Sequence, residues 1–420
     1  MTRARDIADS TETLNVDGGT IKLDGNYPTG TNNVALGNAA LDDASLSGGA
    51  NTAIGPSALT ANTSGNFNTA LGSSALQNNT TGSDNSGLGR EALRLNTTGN
   101  YNVSVGTKAL YSNTTASNNT AVGYEAGYSN TTGISLAHFG YQAGRSNTTG
   151  SENSFFGRSA GYNTTTGSYN SGVGRSALAL NSGGSNNTAL GYQAGYYITT
   201  ANDIIAIGYQ AGHGITTALS GPSIAIGGGT MGGSASGVGQ NTVVGHSGLA
   251  ANTSGRDNAA LGYQVMSSNT TGQWNSAFGS GSLGSNTTGS YNTASGYRAL
   301  LSNTTGSTNT AIGYQAGYNN TTANNNTAVG YQSSYFNTTG AQNTSLGRQA
   351  LYNNTTGSNN TAVGYLAASQ NTTGPSLTAM GYYTLNQNTT GTLNSAYGYR
   401  AMRFNTTGNY NTALGGDALY

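Results

Sequence analysis

A chain of 420 residues with 14 basic and 14 acidic side chains, a formal net charge of 0 and only 7% charged residues lacks the basic footprint that nucleic acid demands. It has no cysteine, which excludes a disulfide framework, a thiol nucleophile and a thiolate metal site. Glycine, at 66 residues, is about twice its usual share, and no stretch approaches the roughly 18 consecutive apolar residues of a membrane span.

Residues 1–32 differ in composition from the remainder of the chain. They carry Arg3, Arg5, Asp6, Asp9, Glu12, Asp17, Lys22 and Asp24, a charge density well above the rest. No apolar run comes after Arg3 and Arg5, so the start does not read as a secretory signal peptide. TIKLDG predicts a strand and turn, and NYPTGTN a turn-rich connector. The segment reads as an adaptor or cap.

From residue 33 onward the chain repeats itself. The glycine of an N-T-A-L/V-G phrase returns 23 times, from Gly37 to Gly415. The step is 17 residues except at three places: 18 from Gly37 to Gly55, 19 from Gly208 to Gly227 and 18 from Gly227 to Gly245. Gly72, Gly89, Gly106, Gly123, Gly313, Gly330, Gly347 and Gly364 are representative structural glycines of this column. The residue before the repeat glycine is apolar in nearly every unit, as at Leu71, Val122, Phe156, Ile207, Ile312 and Val363. The residue two before it is usually small, as at Ala70, Ala121, Ala189 and Ala311. Neighbours in a strand point to opposite faces, so the bulky and small columns lie on opposite sides. The glycine marks a bend or a left-handed backbone position.

A second apolar stretch comes next, with Ala75, Ala109, Ala316 and Ala350. Leu76, Leu110, Leu300 and Leu351 succeed them in their units, replaced by glycine in others such as Gly127 and Gly317. N-T-T-G then supplies turn chemistry. The reading is two strands of about four residues and two turns in each unit. Seventeen residues are too few for a helical repeat or a propeller blade. They fit one rung of an all-β parallel β-solenoid, or β-roll, and 23 rungs at about 4.8 Å would make a rod of about 110 Å. Asn68, Asn85, Asn102 and Asn119, and likewise Asn309 and Asn326, would stack as an amide ladder. Charge is avoided because like charges repeated at every rung repel.

The interior so described is thin. Alanine, glycine and one larger side chain bury little area at about 25 cal/mol per Å², against an ordering cost of about 1–2 kcal/mol per residue. Burial of the alanine face against neighbouring chains would relieve this, which predicts a homo-oligomer, with a trimer favoured. The array divides into regular rungs at 33–197, irregular rungs with insertions, Pro222 and a Gly/Ser-rich run at 198–240, and regular rungs at 241–420. The last unit reaches Tyr420 ten residues into a rung, an edge that is expected to be covered.

No catalytic or metal constellation emerges, and no cofactor is expected. His138, His213 and His246 lie in different rungs without a shared acidic partner. GGGTMGG at 227–233 lacks a Walker lysine, and the regular aspartates of calcium-binding β-rolls are missing. N-T-T is formally a glycosylation sequon at Asn79, Asn96, Asn113 and Asn303, although turn asparagine is the simpler reading. Thr80–Thr81 pairs raise an ice-binding reading. Tyrosines after the repeat glycine (Tyr124, Tyr141, Tyr192, Tyr314, Tyr331 and Tyr365) form a column suited either to a surface ladder or to stacking on sugars.

The N-T-A-I-G-Y-Q-A phrase with N-T-T-G spacers resembles repeat arrays in tail-fibre-like proteins of bacteriophages, particularly marine ones. It is also similar to the N-S-V-A-I-G head repeat of trimeric autotransporter adhesins, and TRARDIADS resembles the virion-proximal start of cyanophage-type fibres. The repeat resemblance covers about 390 residues. It implies a non-enzymatic virion-surface fibre, a homotrimeric rod held to a virion attachment protein through residues 1–32, with a host-surface glycan as an expected partner. The signal peptide and anchor of autotransporters and the C-terminal chaperone of many fibres have no counterpart in these residues. A self-assembling extracellular fibril or adhesin is the alternative, and an ice-binding solenoid a distant one.

Overall fold

A computed structural model describes residues 14–16, 19–21, 32–216, 221–232 and 239–420. Strands are the only regular elements among them. The chain forms two compact units, residues 1–203 and 204–420. In the first, Leu14–Val16 pairs antiparallel with Gly19–Ile21, and ten parallel strands succeed them, from Val34–Leu36 to Thr188–Leu190. In the second, thirteen parallel strands run from Ile204–Ile207 to Thr412–Leu414. The rest of residues 1–31 lies outside the described residues.

Each unit is a parallel β-solenoid. Successive strands pair residue for residue at the repeat spacing: Thr52, Ala53 and Ile54 stand beside Thr69, Ala70 and Leu71. In each three-residue strand from Val34–Leu36 onward the middle residue is buried and its neighbours are more exposed. Alternation was legible in the sequence, but its direction is the reverse of the expected oligomer contact. The alanine column points into the rung's own core, with Ala70, Ala121 and Ala311 fully buried. The bulky column points away from it, with Leu71 41% and Ile312 43% exposed. Alanine therefore has no face to offer another chain.

The rung of residues 68–84 explains the geometry. Its strand ends after three residues at Gly72, whose φ is +139°. A Cβ there would lie 2.6 Å from the carbonyl carbon and oxygen of Gly89 in the next rung. The glycine column is thus a line of close backbone approach that no side chain can enter. The second apolar stretch is not a strand, contrary to the two-strand reading. Ser74 and Leu76 take left-handed backbone, with φ of +57° and +51°, and this alternation breaks the extended path. The segment still bonds to both neighbouring rungs. The Ser74 amide donates to the Pro56 carbonyl (2.8 Å), and the Leu76 amide to the Ala92 carbonyl (2.9 Å).

This conformation accounts for leucine alternating with glycine at one position. A left-handed L-residue costs about 1–2 kcal/mol, and burial of a leucine side chain contributes about 1.5–3 kcal/mol. The two terms are close, so either residue serves. Leu76, Leu110 and Leu351 fill the core, while Gly127 and Gly317 hold the same turn at +60° and +57°.

Between residues 198 and 240 the strands persist. Ile204–Ile207 and Ser223–Ile226 pair over four residues in unbroken register. The loops expected there fall partly on residues 217–220 and 233–238, outside the described residues.

Candidate functional site

Two asparagine ladders line the interior. In the expected one, the Asn85 amide donates to Asn68 Oδ1 (3.0 Å), and those of Asn102 and Asn119 donate in turn to Asn85 and Asn102 Oδ1, each at 3.0 Å. Asn85 Nδ2 also reaches the Gly99 carbonyl at 2.8 Å. The Asn326 amide bonds Asn309 Oδ1 at 2.9 Å in the second unit. Each side chain thus caps a backbone amide of the next rung and a turn carbonyl of its own rung.

The second ladder was read only as turn chemistry in the sequence. It consists of the first asparagine of N-T-T-G. Asn96 Nδ2 donates to Asn79 Oδ1 (2.7 Å) and Asn113 Nδ2 to Asn96 Oδ1 (2.8 Å), and Asn320 Nδ2 donates to Asn303 Oδ1 (2.8 Å). The sequon asparagines Asn79, Asn96, Asn113 and Asn303 are fully buried, so the folded rung presents none of them for modification. The ladder is interrupted at Thr164, whose buried hydroxyl has no partner. At Ile198 and Ile215 it is replaced by apolar core. The strict 17-residue recurrence of both asparagines was the available signal, since loop asparagines have no reason to hold register.

The histidines do not converge. His138 occupies an alanine position in the strand Ala137–Phe139 and is fully buried. Neither ring nitrogen has a hydrogen-bond partner. Its ring stacks on Phe155 of the next rung at 5.3 Å. Burial pushes its pKa down to about 3, so the ring is neutral at ordinary pH. Gly144 and Gly161 leave the space that His138 and Phe155 fill, because a Cβ at either would overlap the ring. His213 is also lowered by burial. His246 Nδ1 bonds the Ser247 hydroxyl at 2.9 Å, and its ring stacks on Tyr263 at 5.6 Å. Among the described residues no three His, Cys, Asp or Glu side chains gather as a metal site.

One charged column obeys the stacking rule, whereas Arg158 and Arg175 place like charges on successive rungs of another. Glu91, Lys108 and Glu125 occupy one column with alternating sign, and Lys108 Nζ lies 3.7 Å from Glu91. Glu125 accepts from Arg145 Nε at 2.7 Å and Gln142 Nε2 at 2.9 Å. Burial alone would raise its pKa, but the hydrogen bonds from Arg145, Gln142 and Tyr124 hold it below the usual value.

The outer surface carries the variable chemistry. The tyrosines after the repeat glycine form stacked runs: Tyr124–Tyr141 at 5.4 Å, Tyr314–Tyr331 at 5.2 Å and Tyr365–Tyr382 at 5.2 Å. Arg175 covers Tyr192 at 5.7 Å. In the second unit this wall is breached by a cleft of about 400 Å³ lined by Tyr263, Gln264, Ser280, Gly281, Tyr297 and Arg298, among others. The cleft was not anticipated from the sequence, although its signal is a single rung, NSAFGSGSLGS, with serine and glycine at outward positions.

No family model matches this chain, and neither does any curated protein or solved structure among those compared.

Proposed function

We propose that the chain is a structural, non-enzymatic virion fibre protein, anchored through residues 1–32 and bearing attachment surfaces on its solenoid. The observation that carries this reading is the division of labour across each rung. Apart from breaks such as Thr164, the inward asparagine columns bond to their own copies in the next rung, and chemical variety lies on the outside. The resemblance to phage fibre repeats supplies the setting.

The fibre is a homotrimer in this proposal, but not through alanine. The outward aliphatic column, with Leu88 44% and Leu346 46% exposed, runs beside the tyrosine column. Monomers usually expose only roughly 300–600 Å² of contiguous apolar surface, and two adjacent apolar columns repeated rung after rung favour a covering partner. A partner with the same rung spacing matches such a column along its length, and a second and third copy of this chain have that spacing. A trimer at micromolar concentration in analytical ultracentrifugation is expected, whereas a monomer would overturn the oligomer. Purified virions should carry the protein as discrete rods of fixed length. Filaments of indefinite length from the purified chain would favour the fibril reading instead.

The outward strand threonines Thr310, Thr327, Thr344, Thr361 and Thr378, on consecutive strands, favour a second reading, an ice-binding face. Thermal hysteresis in the purified protein tests it.

A further inference from the structure

The cleft in the second unit has a simple origin. The outward position after the repeat glycine holds Tyr263 in one rung and Tyr297 two rungs later, but Ser280 in the rung between them. The next outward position reads Gln264, Gly281, Arg298. A third reads Ser267, Gly284, Leu301. One rung is cut back to hydroxyl and hydrogen while its neighbours keep their side chains. The opening is therefore one rung wide, with the two tyrosines about 10 Å apart at two steps of the strand spacing.

The same column shows what such a gap accommodates. Arg348 stands between Tyr331 and Tyr365, its guanidinium 5.5 Å from each ring centroid. There the chain fills the interval between two tyrosines with a flat group of its own. At Ser280 it supplies none.

We propose that this slot binds one pyranose ring carrying a carboxylate, a uronic-acid-type residue of a glycan. The volume, about 400 Å³, lies within the range of about 300–1,000 Å³ usual for small-ligand sites. The Tyr263 and Tyr297 rings offer apolar faces to the C–H faces of a sugar, and both are exposed, at 53% and 40%. Arg298 is exposed, with its guanidinium carbon 5.0 Å from the Tyr297 centroid. It forms no ion pair among the described residues, which leaves its fork available for bidentate pairing with a carboxylate. The Gln264 amide and the Ser280 hydroxyl offer donors and acceptors to ring hydroxyls. A flat aromatic acid would use the rings and Arg298 but leave the Gln264 amide and the Ser280 hydroxyl without ring hydroxyls to bond. The slot deepens the attachment part of the fibre reading, yet it lies within one unit of one chain and stands whether or not that chain is carried by a virion.

The test is calorimetric titration of the full-length protein with trigalacturonate and with neutral galactotriose. Trigalacturonate binds, and the neutral sugar binds about tenfold more weakly, as expected for loss of one charge-assisted pair. Ser280→Tyr restores the ladder residue, fills the slot and abolishes binding, with a melting temperature no lower than that of the parent. Arg298→Gln lowers trigalacturonate binding about tenfold and so removes the preference for the acid over the neutral sugar. The proposal fails if the parent binds neither sugar, if Ser280→Tyr binds like the parent, or if Arg298→Gln leaves the acid preference intact. Tighter binding of 2-naphthoate than of trigalacturonate would overturn the sugar class. These outcomes concern the purified protein, so they leave the virion test of the fibre reading independent.

Discussion

The inner and outer walls of a rung are built from the same seventeen residues, yet they obey different rules. Inside, at Asn68, Ala70, Leu76 and Asn79, a side chain must fit its copies above and below. Outside, the position after the repeat glycine is Tyr263, Ser280, Tyr297 or Arg348 with no loss of strand register. The lesson is that stacking restricts only what it encloses. Architecture is written on the inner wall, and recognition is free to vary on the outer.

The contrast can be broken most violently at the rung corner. Gly89→Val places carbon where the Gly106 carbonyl carbon and oxygen lie 2.7 Å from an added Cβ. It should cost more than about 4 kcal/mol, in the range reserved for gross steric or backbone conflict. Denaturation of the variant in urea measures it, and a loss under about 1 kcal/mol would mean that the rungs are not in this contact.

The ladder ranks second. Asn85→Ala removes the acceptor of the Asn102 amide (3.0 Å) and the donor to the Gly99 carbonyl (2.8 Å). Two buried groups lose their partners at about 1–3 kcal/mol each, so the loss should be about 2–6 kcal/mol. An outward change such as Tyr314→Ala should stay near about 1 kcal/mol, the scale of an exposed aromatic pair. Urea denaturation of both variants checks the difference.

His138 sharpens the comparison through pH. Its folded pKa of about 3 lies below its ordinary 6.5, so the unfolded chain binds the extra proton between those values. Stability is therefore full above pH 6.5 and falls as pH drops toward 3, by about 2–3 kcal/mol at a pH of about 4.5. His138→Phe copies the neighbouring Phe155, removes two unpartnered nitrogens and should erase this share of the pH dependence while stabilising the protein by about 1–3 kcal/mol at neutral pH. Melting temperatures at neutral pH and at about pH 4.5 check both parts, and an unchanged pH slope in the variant would refute the assignment.

The smallest effect is a repair. Thr164→Asn returns the consensus residue to the interrupted second ladder, between Asn147 and Asn181. It should stabilise by about 1 kcal/mol, one net hydrogen bond. Chemical denaturation resolves it, and destabilisation would mean that the break at Thr164 is an adaptation to Phe155 in the same rung.

Much of this architecture was legible in the sequence. The 17-residue step, the glycine corner and the stacking of Asn68 on Asn85 come from strict register alone. The direction of the alanine face did not, because alternation defines two faces without saying which is inside. Bulk suggested that Leu71 belonged in the core and Ala70 at a contact. The interior is filled instead from the opposite wall by Leu76, which leaves room only for alanine on the strand. Phe155 tests that rule by exception, since it needs Gly161 in its own rung and Gly172 in the next. The second strand failed for a related reason. Left-handed backbone at Ser74 and Leu76 leaves no mark on residue type when burial outweighs strain. The cleft at Ser280 went unread because outward columns vary freely, and one serine among tyrosines looks like that variation.

The central claim is that asparagine side chains inside the rungs hold the register, and amide hydrogen exchange tests it most directly. The backbone amides of Asn85, Asn102 and Asn326 donate to side-chain carbonyls of the preceding rung rather than to a strand ladder. In the native protein they should exchange as slowly as the strand amides beside them, at the rate of global unfolding. Exchange of these amides at the rate of exposed turns, with the strand amides still protected, would contradict the claim.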